Sequence, residues 1–426
     1  MLLLRIEGRL RRFRCQGFKK TALEVARRTG TAFLGILLMP VAAVLHVLGF
    51  RRLTVFTERI GHLALEVDYF LKQRALGQIP ERRYFLTAPK WRVANRHLMK
   101  LWSQHIPVIE NPVAAFLLES MGRWYFMRHD VSEYTRSFNK AASMFAIAAA
   151  WGNRPPILRL PVEDERWGRQ VLKALGVPDD RWFVAVHVRE GGFSPDGDWA
   201  HSNRNGSISA VVPAIRYIYE RGGWCVRLGD PSMTVLPDMP GVTDYAHSPL
   251  RSERMDIFLC AKARFFIGNT SGITYLASAF GVPCVWANMI PTSTLGLSAA
   301  DISIPKLLYS KVEQRFLHFP EIFASPLANY RYAVLYDAAG IEVRENSDDE
   351  ILDLVREMME RLDGCMLESE QDVELQQRYL ALLRPEHYSW GTVSKIGTAF
   401  LRKHRDLLEP PQNVLANSPA WQQRNA

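Results

Sequence analysis

Residues 263–288 read ARFFIGNTSGITYLASAFGVPCVWAN: strand, polar turn, short helix, a Gly-Val-Pro break and a second strand. The β-branched and aromatic run Phe265 to Ile267 predicts a buried strand, and Asn269, Thr270, Ser271 and Gly272 then stand at the helix start. There the unpaired N–H groups and the positive end of the helix dipole favour an anion, a phosphate above all. Gly272 removes a side chain where a ligand must come close to the backbone. Ser271 or Thr270 is placed to cap the helix, and Gly281 with Pro283 ends it. An ordinary βαβ turn that binds nothing has the same outline, so the assignment turns on what surrounds it.

Outward from this unit, strands alternate with helices. Trp182 to Val188 is a nearly continuous apolar run of the kind a buried parallel strand shows. A polar loop follows over Glu190 to Gly206, then a helix near Ile208 to Arg221, a strand Trp224 to Leu228 and a helix Met255 to Lys262. Upstream, Leu53 to Phe56 predicts a strand, Thr57 to His62 a turn and Leu63 to Ala75 a helix. Tyr84 to Leu86, Asn95 to Gln104 and Ile106 to Ile109 continue the alternation. Two α/β sets of this kind predict parallel sheets covered by helices, with ligands at the carboxyl ends of the strands. The expected division is a basic, apolar segment over 1–50, Rossmann-like units over 51–175 and 176–365, and C-terminal helices with a disordered tail over 366–426. Ser347 opens a capping box for the helix that runs to about Leu362.

The 426 residues carry a net charge of +9, and their 48% hydrophobic content argues for packed domains. Seven of those nine charges lie in the first thirty residues, so the body is nearly neutral, a poor footprint for nucleic acid. Five scattered cysteines without a Cys-x-x-Cys or Cys/His cluster point to a reducing compartment and no structural zinc. Thr31 to Phe50 is free of charge for twenty residues, broken by Pro40 and flanked by Arg27, Arg28, Arg51 and Arg52. The length just permits a span, but arginines on both sides favour a monotopic or re-entrant foot on an anionic membrane surface.

Three strand ends carry chemistry. His187 and Arg189 close the Trp182 strand on one face, with Gly191 and Gly192 after them, and arginine's planar fork suits a diphosphate. Arg227, with Asp230 three residues on, closes the next strand: either the guanidinium meets phosphate or it neutralises Asp230. Asn269, Thr270, Ser271 and Gly272 form the third. In the first unit His62 is placed to take a proton at neutral pH, with Glu58 or Glu66 to orient or replace it; a helix-capping role is the structural alternative. The loop Asp196 to Ser207, with His201, Asn203, Arg204 and Asn205, is either a lid or a plain surface loop.

The strand-terminal HVRE, the RLGD after the following strand and the FFIGNTSGITYLASAFGVP unit resemble the donor domain of GT-B glycosyltransferases. Fucosyltransferase-like families and a group of bacterial glycosyltransferases with this layout are the nearest likenesses, over roughly Leu53 to Leu362. Where fucosyltransferases follow the arginine with Arg-Gly-Asp or Arg-x-Asp, Glu190, Gly191 and Gly192 stand here, so the resemblance implies a nucleotide-sugar and not GDP-fucose in particular. It implies an α/β fold of GT-B type, two Rossmann-like domains facing a cleft, and donor binding by His187, Arg189, Arg227, Asp230, Asn269, Thr270, Ser271 and Gly272. It also implies His62 or Glu58 in catalysis, with transfer of a hexosyl or deoxyhexosyl group without metal or other cofactor. The acceptor expected is a lipid-linked glycan or polysaccharide at the cytoplasmic face of the membrane. A non-catalytic scaffold on the same frame, or a nucleotide-sugar epimerase, are the alternatives.

Overall fold

The structure is a computed structural model and describes residues 29–121, 124–131, 138–192 and 199–411. The basic residues before 29 and the tail after 411, expected to be disordered, lie outside the described residues, as does 193–198 of the polar loop.

The first sheet contains β1 (Phe50–Thr54), β2 (Arg83–Thr87), β3 (Val108–Ile109) and β4 (Arg128–Asp130), all parallel, in the order β3-β2-β1-β4. The main sheet begins with β5 (Trp182–His187), β6 (Gly223–Arg227), β7 (Val242–Thr243), β8 (Phe266–Gly268), β9 (Cys284–Met289) and β10 (Ile302–Pro305). Next come β11 (Leu307–Ser310), β12 (Arg315–Phe316) and β13 (Ile341–Arg344), a small antiparallel sheet that the alternation pattern does not announce. Finally β14 (Lys395–Ile396) returns to the main sheet, whose order is β14-β10-β9-β8-β5-β6-β7, parallel throughout. A boundary at residue 365 therefore cuts off an edge strand that belongs to the second unit.

Alternation along the strands builds two cores. Val184, Val186, Ile267 and Val285 face one side of the main sheet, against helices Val212–Glu220 and Asp348–Leu362. Phe183, Ala185, Phe266 and Trp286 face the other, under helices Glu253–Lys262 and Gly272–Ala279. The first unit docks on this second side. Helix Ile60–Ala75 lies along Gly272–Ala279, and helix Arg96–Trp102 packs on Glu253–Lys262. Leu63, Val67 and Trp102 so share one core with Phe258, Leu276 and Trp286. Along this seam the expected cleft is closed by a common core.

Two boundaries near the first unit differ from expectation. Helix Ile60–Ala75 starts at Ile60, so His62 stands in its first turn and not in a preceding loop. The charge-free stretch is two helices, Thr29–Leu37 and Met39–Val47, bent by 57°, and Phe50 already belongs to β1. Pro40 sits in the first turn of the second helix, where the missing N–H starts a helix but cannot continue one. Among the described residues no single helix is long and apolar enough to cross a membrane.

Candidate functional site

The order of the main sheet places a switch point between β5 and β8: from β5 the chain winds outward through β6 and β7, and from β8 in the opposite direction. The crevice outside two such strands is where open α/β sheets bind ligands. His187 ends β5 here, and the segment Asn269 to Gly272 leaves β8.

His187 is buried at 7% exposure, with Nδ1 3.2 Å from the Leu228 carbonyl and Nε2 2.9 Å from Ser271 Oγ. A carbonyl only accepts, so Nδ1 carries the proton and the Ser271 hydroxyl donates to Nε2. Burial, with the cations Arg227 and Arg189 nearby, pushes the imidazole down to about 4, so it is neutral near pH 7. Ser271 thus gives its hydroxyl to His187 and does not cap its helix. Thr270 does not either: its Oγ1 donates to the Ile290 carbonyl at 3.1 Å and accepts from the Ile290 N–H at 3.3 Å. Asn269, 2% exposed, accepts from the Arg189 N–H at 3.2 Å and donates to the Arg204 carbonyl at 3.1 Å, pinning the polar loop to the sheet.

Gly272 meets Gly61 of the first unit. A Cβ on Gly61 would stand 2.7 Å from the Gly272 Cα, and one on Gly272 would stand 3.0 Å from the Gly61 nitrogen. Helices Ile60–Ala75 and Gly272–Ala279 therefore abut at their amino ends, bringing two positive dipole ends together, an arrangement that an anion relieves.

Around this contact the side chains add positive charge. Arg204 donates from Nε to the Thr270 carbonyl at 3.0 Å, and from a terminal nitrogen to the same oxygen, and has no ion pair among the described residues. Part of its side chain remains accessible, yet desolvation, together with Arg189, Arg331 and Arg59, lowers its guanidinium to about 10; Tyr275 opposes the shift. His201 is likewise held down to about 4, by burial and then by Arg204, Arg189 and Arg331. Arg189 reaches back over the loop, donating to the His201 carbonyl at 3.1 Å and to Asn205 Oδ1. Among the described residues, Asn203, 9% exposed, has neither amide atom hydrogen-bonded, and His201 Nδ1 is likewise buried without a partner. Buried polar groups are normally satisfied, so this loop has hydrogen-bonding capacity in hand for a ligand.

The third strand end behaves otherwise. Arg227 is fully buried, 3.0 Å from Asp244 and 3.4 Å from Glu190. Asp230 faces away from it, accepting from the Ser232 N–H at 2.9 Å and hydroxyl at 2.5 Å. Arg227 is a neutralised structural cation, and the partner expected for it, Asp230, closes a turn.

In the first unit His62 Nδ1 lies 2.7 Å from Glu66 Oε1, while Glu66 Oε2 accepts from the Phe56 N–H at 2.9 Å. The buried carboxylate thus fixes the tautomer, and the edge-on contact of the His62 ring with Phe56 fixes the ring plane. Glu58 is turned away, 3.0 Å from Arg92, so Glu66 is the carboxylate that orients His62.

No family model matches the chain, and no curated protein does. Solved structures with partly similar folds include the glycosyl transferase family 9 protein of Veillonella parvula, at 12% identity over 58% of this chain and 67% of that one, with a TM-score of 0.28. ADP-heptose LPS heptosyltransferase II of E. coli is similar at 15% identity over 61% of this chain and 91% of that one, with a TM-score of 0.39. UDP-GlcNAc 2-epimerase of Methanocaldococcus jannaschii overlaps 58% of this chain and 71% of its own at 12% identity, with a TM-score of 0.25. Likenesses this distant carry no argument about activity, which rests on the geometry above.

Arg59, Arg204, Arg331 and Tyr275 are the members of the site that sequence reasoning did not assign to it. Arg204 stood within a loop already noted for its length and polarity, and Arg59 immediately precedes the helix of Gly61, but nothing in the order of residues brings Arg331 to them. A groove of about 510 Å³ lies elsewhere, lined by Trp151, Pro155, Pro156 and Leu158 near the junction of the units. Among the described residues no group of three or more His, Cys, Asp or Glu side chains is arranged to hold a metal ion.

Proposed function

We propose that the chain is a GT-B glycosyltransferase that takes a sugar from a nucleotide-sugar donor and passes it to a hydroxyl of a lipid-linked glycan or polysaccharide. The observation that carries this reading is the meeting of two helix amino ends, Gly61 on Gly272, beside Arg204, a cation with no ion pair among the described residues. A diphosphate supplies the negative charge that this place lacks. Its departure, the hard part of transfer, is eased by the arginines and helix ends in place of a metal.

In the proposed step, His62 Nε2 takes the acceptor's hydroxyl proton while Nδ1–H donates to Glu66. The acceptor oxygen bonds to the anomeric carbon as that carbon's bond to the diphosphate oxygen breaks. The electron pair leaves with the nucleoside diphosphate, toward Arg204, Arg189 and Arg59. Association with the cytoplasmic face of a membrane, through the bent apolar helices, belongs to the same reading. A non-catalytic binding protein is the second reading, favoured by the shared core that closes the seam between the units.

The test is thermal shift of the purified protein with UDP, GDP, ADP, CMP and their common sugars, for the parent and for Arg189→Ala. A ligand at about 100 times its Kd raises stability by about 2.7 kcal/mol. The expected result is stabilisation by one nucleotide and its sugar conjugate, lost in the variant. Stabilisation by none of them sinks the transferase reading. Binding without transfer to any glycan acceptor selects the second.

A further inference from the structure

The two bent helices do not stand alone against the first unit. Helix Met39–Val47 buries Ala42, which shares a small core with Met121 and Met127, flanked by Leu38, Leu45, Trp124 and Phe126. Trp124 Nε1 donates to the Gly35 carbonyl at 3.0 Å, and His46 Nδ1 lies 2.9 Å from the Phe126 carbonyl. The foot is therefore fixed to the body at both of its helices.

Its outer side is apolar. Val41, Val44 and Leu48 follow one another at helical spacing and are 48%, 59% and 53% exposed. On the preceding helix Phe33, Ile36 and Leu37 are exposed as well. Helix Pro112–Met121, which contributes Met121 to the same small core, exposes Val113 and Phe116 at 67% and 46%. Large exposed apolar side chains gathered on helices that share one small core mark a contact with something apolar.

The adjoining charges say what that is. Arg51 donates to the His46 carbonyl at 3.1 Å, which places its guanidinium at the end of helix Met39–Val47, and the charge of Arg82 acts on it. Arg83 is exposed and stacks over Phe50 at 5.3 Å, just beyond that helix end. Glu81 beside them is paired with Arg74 at 3.1 Å. An apolar surface rimmed by arginines matches a bilayer with anionic headgroups, and a 57° bend suits helices lying in the interface better than a crossing.

We propose that helices Thr29–Leu37, Met39–Val47 and Pro112–Met121 form one plate that lies flat in the headgroup layer of an anionic bilayer, with Arg51, Arg82 and Arg83 on its rim. It deepens the membrane association proposed above by adding helix Pro112–Met121 and the arginine rim, and it does not depend on the sugar chemistry.

Flotation of the full chain tests it, with vesicles of phosphatidylcholine alone and of phosphatidylcholine with phosphatidylglycerol at roughly 3:1. The parent is expected to float with the anionic vesicles and less with the neutral ones. Val113→Ser with Phe116→Ser should lower binding roughly tenfold to both kinds. Arg82→Glu with Arg83→Glu should lower it roughly tenfold on anionic vesicles only, an effect that high salt mimics. Unchanged flotation of the Val113/Phe116 variant overturns the plate, since binding then lies elsewhere in the chain. Equal binding of the parent to both vesicles overturns the rim. A parent that self-associates in solution, and becomes monomeric in that same variant without a change in flotation, assigns the face to a second copy and also overturns it. All of these proteins should keep the parent's thermal shift with nucleotide, so failure of the plate is separable from failure of the donor site.

Discussion

Two arginines near neighbouring strands of one sheet show what distinguishes a structural cation from a binding one. Arg227 ends β6, is wholly enclosed, and is neutralised by Asp244 and Glu190. Arg204 lies over the mouth of β5 and β8, gives its hydrogen bonds to one backbone carbonyl, and has other arginines as its nearest charges. Both are desolvated. The first has its counter-charge built into the chain; the second has none among the described residues, and the proposed donor diphosphate would supply it. A buried ion pair is costly to break, and a desolvated cation with no counter-charge among the described residues is costly to keep, so the two sites should respond differently when the guanidinium is removed.

The largest effect should come from Arg227→Ala. It strands Asp244 and Glu190 beside a buried void and is expected to cost about 3–5 kcal/mol, read as a lower urea midpoint or loss of soluble protein. Adding Asp244→Asn and Glu190→Gln should recover part of that loss; no recovery would mean that the ion pairs are not what Arg227 contributes. His187 lies between the two sites and feels both Arg227 and Arg189. Its folded value of about 4 lies below the unfolded value near 6.5, so the unfolded chain binds the extra proton in that window. Stability should therefore fall as pH drops from about 6.5 toward 4, by roughly 3 kcal/mol in all. His187→Gln should flatten this part of the pH profile, and an unchanged profile would show that His187 is not the titrating group.

Gly61→Ala probes the contact between the helix ends. Helix propensity alone favours alanine by about 1 kcal/mol. A Cβ only 2.7 Å from the Gly272 Cα, however, forces backbone against backbone, and a net loss of about 1–3 kcal/mol is expected. A stabilised variant would show that the two helix ends are not in contact.

Much of the frame was legible because it rests on local pattern. Apolar runs gave the strands around Trp182, Trp224 and Phe265, and the capping box at Ser347 forms as its spacing implies. The less periodic pieces were not: β10 to β14 are short, and β14 joins the sheet only after a long excursion. Thr57 to His62 reads as polar turn, yet Ile60 and Gly61 are already helical because their side packs on Gly272. The strand-end residues were found, but their jobs were set by partners remote in sequence. Ser271 bonds His187, 84 residues away, and Arg227 bonds Asp244 and not the nearer Asp230. Arg59, Arg204 and Arg331 come together only in three dimensions.

Arg204→Ala is the sharpest test because its expected effect on stability is the smallest. Removing the guanidinium takes from the Thr270 carbonyl the donor it accepts from, which costs about 1 kcal/mol. Against that, its removal relieves repulsion from Arg189, Arg331 and Arg59 and the cost of desolvating a cation. The two nearly cancel, so the urea midpoint should stay within about 1 kcal/mol of the parent, in contrast with Arg227→Ala. Binding should not be spared: loss of a charge-assisted contact worth about 1.5–3 kcal/mol lowers affinity for inorganic pyrophosphate by roughly ten- to a hundredfold, measured by calorimetry. If instead Arg204→Ala lowers the urea midpoint as far as Arg227→Ala does while the folded protein keeps its pyrophosphate affinity, Arg204 is a structural cation like Arg227. The anion site would then have to be sought away from the β5/β8 mouth.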